Sequence, residues 1–94
     1  MQLYPINIIK SDDRGIIYDC GTASFITRKK GTISANHTHN EAETIYLVRG
    51  EIELTIENET QIVKAPIMFK IGENVYHKLV ALTEIDLVIY RHIE

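Results

Sequence analysis

The chain has 94 residues, with no tryptophan, one cysteine (Cys20) and two prolines (Pro5 and Pro66). A lone cysteine forms no intramolecular disulfide, which excludes a secreted scaffold built on disulfides. No apolar run approaches the roughly 20 residues of a membrane-spanning helix. The first residues lack a basic start, a long apolar run and a small-residue cleavage site, so no secretory leader is expected and a cytoplasmic location is the default. Asn36-His37-Thr38 and Asn58-Glu59-Thr60 match a glycosylation pattern, but without secretion they are chance matches. An excess of positive charge is also missing. The net charge of -3 argues against nucleic-acid or anionic-membrane binding. The basic residues are dispersed, and their only cluster, Arg28-Lys29-Lys30, reads as the solvated end of a strand. There is no linker, no repeat and no stretch with a sustained helical period.

What the chain does have is short strand-like runs separated by turn residues, the pattern of an all-β sandwich or barrel. One domain over residues 1–94 is expected, with a thin core that a metal or a dimer interface would reinforce. Gln2 to Ile9 contains Pro5 and reads as an edge strand or arm. Ser11 to Gly15 is a turn, and strands follow over Ile16–Asp19, Thr22–Lys29 and Thr32–His39. After a bend at Asn40-Glu41-Ala42 come Glu43–Val48 and Glu51–Glu57, joined at Arg49-Gly50. The second of these alternates cleanly, with Ile52, Leu54 and Ile56 on one face and Glu51, Glu53, Thr55 and Glu57 on the other. Thr60–Lys64, Ile67–Ile71, Val75–Leu82 and Ile85–Ile93 complete nine or ten strands. So many strands in so short a chain imply tight antiparallel hairpins and a small closed or flattened barrel.

The densest chemistry lies between Gly31 and Gly50. His37 and His39 are two residues apart, so in a strand both project from one face. Glu43 follows four residues later, and His77 lies on a distant strand where Val75, His77 and Leu79 share a face. Three imidazoles and a carboxylate converging inside a barrel suit one divalent transition metal: iron, manganese, cobalt, nickel, copper or zinc. Four protein ligands on a six-coordinate ion leave two positions for water, dioxygen or a small molecule. Glu41 is the competing carboxylate, and His92 reads as surface. The candidate acids and bases near a substrate are the five tyrosines and Arg28. Tyr46 and Tyr76 alternate with inward residues and should face out. Tyr18 and Tyr90 fit either side, with core packing favoured. Beyond the ligands the interior looks apolar, which favours a small, mostly apolar or planar ligand and leaves no evident second acid or base.

Gly31, five residues, His37-Thr38-His39, three residues, Glu43, six residues, Gly50 resembles the first motif of the cupins throughout. The second cupin motif, about residues 66–81, is matched in part by Gly72 and His77. Four residues stand between these two, Lys70 is where a proline is usual, and Ala81 is where an asparagine is usual. The resemblance implies a double-stranded β-helix of jelly-roll type, a homodimer, and a metal on His37, His39, Glu43 and His77. It does not imply one reaction. The site suits dioxygenase- or isomerase-type chemistry on a small organic molecule, or a non-catalytic barrel that binds or senses a small ligand. Asp12-Asp13-Arg14-Gly15 and the run from Lys30 to His39 are also similar to nucleotide-sugar isomerases and epimerases, in which a histidine serves as base. The plain alternative for Asp-Arg-Gly is a turn.

Overall fold

A computed structural model describes residues 1–92, the side chains of Ala35 and Asn36 apart. The end of the last expected strand, Ile93, lies outside the described residues. Among the described residues every regular element is a strand: β1 (Ile8–Asp12), β2 (Gly15–Asp19), β3 (Ser24–Arg28), β4 (Ile33–His37), β5 (Ala42–Arg49), β6 (Glu51–Ile56), β7 (Glu59–Lys64), β8 (Ile67–Ile71), β9 (His77–Ala81) and β10 (Ile85–His92). No helix is long and apolar enough to cross a membrane.

The strands form two antiparallel sheets. One has six strands in the order β1-β2-β3-β10-β5-β8, and the other has four in the order β4-β9-β6-β7. Alternation decides which side chains lie between them. Ile52 and Leu54 of β6, Leu79 and Ala81 of β9, Ile45 and Leu47 of β5, and Ile85 and Leu87 of β10 are buried in one cluster. The residues between them on each strand face outward, as the period of two requires. This is the small barrel expected from the strand pattern, in the jelly-roll double-stranded β-helix form that the cupin resemblance implies.

Several boundaries differ from expectation. The first strand begins at Ile8, because pairing with β2 starts at Ile8–Tyr18. Residues before it form no ladder; the Asp19 N–H donates to the Asn7 carbonyl. Ser11 and Asp12 belong to this strand, so the turn narrows to Asp13-Arg14. Ala42 is in β5 and not in the bend before it. The β6–β7 turn falls on Glu57-Asn58, one residue earlier than expected, with Glu57 at φ 52°. The Ala65–Pro66 peptide is cis.

Register carries the two histidine strands and the glutamate strand to one end of the barrel. On the four-stranded sheet His77 lies between Ile56 of β6 and His37 of β4. On the six-stranded sheet Glu43 lies between Ile71 of β8 and Arg91 of β10. The two sheets therefore set Glu43 opposite the histidine pair.

Candidate metal centre

His37 ends β4, and His39 follows in the loop before β5. That loop is tied to the turn ahead of β9 by the Asn74 N–H, which donates to the His39 carbonyl at 2.8 Å. The partial second motif thus braces the first. Glu43 faces inward with Ile45 and Leu47, and all three are buried. Tyr46 between them points out and is 41% exposed.

The structure brings His37, His39, Glu43 and His77 together, with one potential ligand atom from each lying within 4.8 Å of the others. Ligand atoms 2.0–2.2 Å from a metal lie at most about 4.4 Å apart, a spacing close to the upper limit within this cluster. The imidazole rings pack closely: His37 and His77 have centroids 4.6 Å apart and meet edge to face.

The hydrogen bonds fix what these rings offer. Nδ1 of His39 is 2.8 Å from the Glu41 carbonyl, and Nδ1 of His77 is 3.0 Å from the Val75 carbonyl. A carbonyl only accepts, so both Nδ1 atoms carry the proton and both Nε2 atoms of the neutral rings carry a lone pair. Each Nε2 lies 3.1 Å from the same oxygen, Oε1 of Glu43. Both Nε2 atoms are buried without a hydrogen-bond partner. Three acceptors facing one another are unfavourable unless a cation or a proton lies among them. Fixing Nδ1 by an outer carbonyl while Nε2 points inward is also how metal-binding histidines are generally held.

The other Glu43 oxygen is engaged as well. Arg91 Nε donates to Oε2 at 3.0 Å. Burial pushes the Glu43 carboxyl up, but its contacts with His77 and Arg91 outweigh that and hold its pKa at about 2. Burial lowers the pKa of His77, yet the contact with Glu43 and the bond to Val75 reverse this and raise it. His37 is lowered, first by burial and then by its histidine neighbours.

Residue by residue, the sequence reading meets the structure unevenly. The Glu41 carboxylate takes no part in the cluster; Glu41 contributes its backbone carbonyl instead. His92 is exposed, as expected, and lies 3.3 Å from Thr44 Oγ1. Tyr90 is 41% exposed, so core packing does not describe it. Tyr18 is half-buried beside Phe25. Arg91 was missed, although alternation with Leu87 and Ile89 places it on their inward face. Arg28 is 5% exposed, because it alternates with buried Ile26; this removes it from the solvated end of the Arg28-Lys29-Lys30 run and agrees with its place among the candidate groups of the interior.

The cluster opens onto a cavity of about 270 Å³ inside the barrel, lined by His37, Glu43 and His77 together with Arg14, Arg28 and Arg91. The interior is therefore not as apolar as the hydrophobic run of β6 suggested. Asp12-Asp13-Arg14-Gly15 supplies one of these arginines through a turn: Asp12 accepts from the Arg14 N–H at 2.9 Å and from its guanidinium at 3.2 Å.

The cupin domain model matches residues 24–91, and this span contains all four clustered residues. The chain belongs to the cupin family. No curated protein matches it. Its fold is similar to that of the capsular polysaccharide assembling protein CapF from Staphylococcus aureus, with a TM-score of 0.79 at 19% identity, covering 98% of this chain and 29% of CapF. An RmlC-like cupin from Shewanella frigidimarina aligns with a TM-score of 0.71 at 21% identity, covering 92% of this chain and 91% of that one. A salicylate 1,2-dioxygenase variant from Pseudoaminobacter salicylatoxidans aligns with a TM-score of 0.69 at 20% identity, covering 80% of this chain and 21% of the enzyme. This cupin thus spans under a third of the length of CapF and of the dioxygenase.

Proposed function

We propose that this cupin holds one divalent transition metal through His37, His39, Glu43 and His77, and binds a small organic molecule at the positions left open, in support of oxygenase- or isomerase-type chemistry. The observation that carries this reading is the convergence of the four side chains: the buried Nε2 atoms of His39 and His77 each lie 3.1 Å from Glu43 Oε1, and one ligand atom from each of the four residues lies within 4.8 Å of the others. The donor set of imidazoles and one carboxylate fits ions from the middle of the divalent series. A bound ion of this kind supplies Lewis-acid polarisation of a carbonyl or enolate oxygen. The chain's own residues do the rest. The Glu41 and Val75 carbonyls hold the two rings in one tautomer, and Arg91 orients the carboxylate. Ile45, Leu79 and Leu87 form an apolar wall that excludes water from one side of the cavity.

The cavity of about 270 Å³ favours a small molecule over a whole nucleotide sugar, since it falls below the roughly 300 Å³ at which pockets for drug-sized ligands begin. The dioxygenase among the similar structures is a precedent for this fold acting on a small aromatic acid. Cobalt(II) titration tests the reading. One equivalent should give visible bands of a nitrogen- and oxygen-ligated ion that change when azide is added. A spectrum of free aqueous cobalt would contradict it. A homodimer is part of the same proposal, supported by Leu3, Tyr4 and Ile6 in the exposed arm and by Val48 and Met68 on the outer face of the larger sheet. Light scattering at the monomer mass would count against the dimer.

A further inference from the structure

Three arginines line the cavity, and two of them have a carboxylate. Arg91 is bonded to Glu43, and Arg14 to Asp12. Arg28 has none. Its one bond is from Nη1 to the carbonyl of its neighbour Thr27 at 3.1 Å, and its Nε is buried without a partner. Among the described residues no carboxylate pairs with it, and it is 5% exposed. Asp12, the acid whose charge reaches it, is already engaged by Arg14 and lies 3.8 Å from Lys10 Nζ. Burial, with the charge of Arg14 added, pulls the Arg28 pKa down, and the charge of Asp12 offsets this only in part.

A buried unpaired charge is costly, and a guanidinium stays charged at any ordinary pH. The interior positions on either side of it, Ile26 along its own strand and Ile85 across the ladder, are apolar, so an aliphatic residue would fit the pattern. The chain nevertheless places at this point the side chain best suited to grip a planar anion through two parallel N–H bonds. It does so in the same cavity as the His37, Glu43 and His77 side chains.

We infer that Arg28 is a binding residue for a carboxylate of the cavity's ligand, which is thus a small organic acid and supplies the third carboxylate that the three guanidiniums require. This rests on the reading of the cavity as the ligand site of the metal centre. Glu43 is paired with Arg91 and Asp12 with Arg14, so Arg28 and a divalent ion leave the pocket cationic and select for anions. Ser34, which also lines the cavity, adds a hydroxyl for a second oxygen of such an acid. The apolar, uncharged ligand suggested by β6 alone does not satisfy Arg28.

The test is calorimetric titration and thermal unfolding of the metal-loaded protein with succinate and 2-oxobutyrate, each against its neutral amide. Metal content is measured on the same samples. The acids should bind and raise the unfolding midpoint, and the amides should not. Arg28→Met should weaken the acids by about ten- to hundredfold, with metal content unchanged. Its unliganded form should unfold no earlier than the parent, because it removes an uncompensated charge. Equal binding of acids and amides, binding of neither acid, unchanged acid binding by Arg28→Met, or earlier unfolding of that variant would each overturn the inference. Acid binding that depends on Arg28 in a chain without stoichiometric metal would contradict the metal reading and support this one.

Discussion

At the scale of single residues, Glu43 is the hub. One oxygen faces two imidazole nitrogens and the other a guanidinium. Arg91 touches no other member of the cluster through a hydrogen bond, so its effect on a metal runs through the orientation of Glu43. Outer partners of this kind typically contribute about ten- to hundredfold in metal affinity. Arg91→Met should weaken metal binding by that order in competition with a chromophoric chelator; unchanged affinity would mean that Glu43 needs no support. His92→Ala is the control. His92 is on the opposite face of β10, and the same assay should find its metal affinity unaltered. Arg91 was legible in principle, since the period of two in Leu87, Ile89 and Arg91 puts it inward. Its charge and its place near a strand end mask that signal, because such residues are usually solvated. Arg28 shares this pattern: the same alternation with Ile26 turns it inward, while its neighbours Lys29 and Lys30 are solvated. The carbonyls of Glu41 and Val75 were not legible, because backbone groups leave no mark on residue identity.

At the scale of elements, the glycines that frame the first motif are not equivalent. Both have positive φ, 87° at Gly31 and 99° at Gly50. A β-carbon at Gly31 would meet open space, while one at Gly50 would run into the backbone carbonyl of Glu84. Gly31→Ala should therefore cost about 1–2 kcal/mol, the ordinary penalty of a left-handed residue, and Gly50→Ala should cost more. Urea unfolding of the two variants measures the difference, and equal costs would contradict the close approach at Gly50. In the core, Ile52 is fully buried between β7 and β9 partners. Ile52→Ala should lose about 2–5 kcal/mol in the same assay. The strands themselves were readable from alternation and turn residues, most clearly β6. Their ends were not, because ends are set by partners: β1 starts where β2 offers a ladder, and β6 stops where Glu57 turns.

At the scale of the whole molecule, the spacing of His37, His39 and Glu43 was readable as one site, and the barrel explains how His77 reaches it. The gap between Gly72 and His77 gave no assurance of register. Pairing of His77 with His37 across β4 and β9 supplies it. What the linear pattern did not carry was the charge inside the barrel, which arises from side chains of β3, β10 and the β1–β2 turn meeting in space. In a core this thin, a bound metal would add appreciably to stability. If the metal is present at about a hundred times its dissociation constant, the linkage is worth roughly 2.7 kcal/mol, or roughly 10–20 °C in the unfolding midpoint of a domain this small. Removal of the metal by a chelator should lower the midpoint by that order, and a midpoint indifferent to chelator would separate the fold from the metal.

The measurement closest to the central claim is the metal content of untagged protein from metal-replete medium, by mass spectrometry, beside His37→Ala, Glu43→Gln and His77→Ala. One equivalent of a divalent transition metal per chain in the parent, and its loss in each variant, is the predicted result. A parent without stoichiometric metal, or variants that retain it, would contradict the claim that these residues hold it.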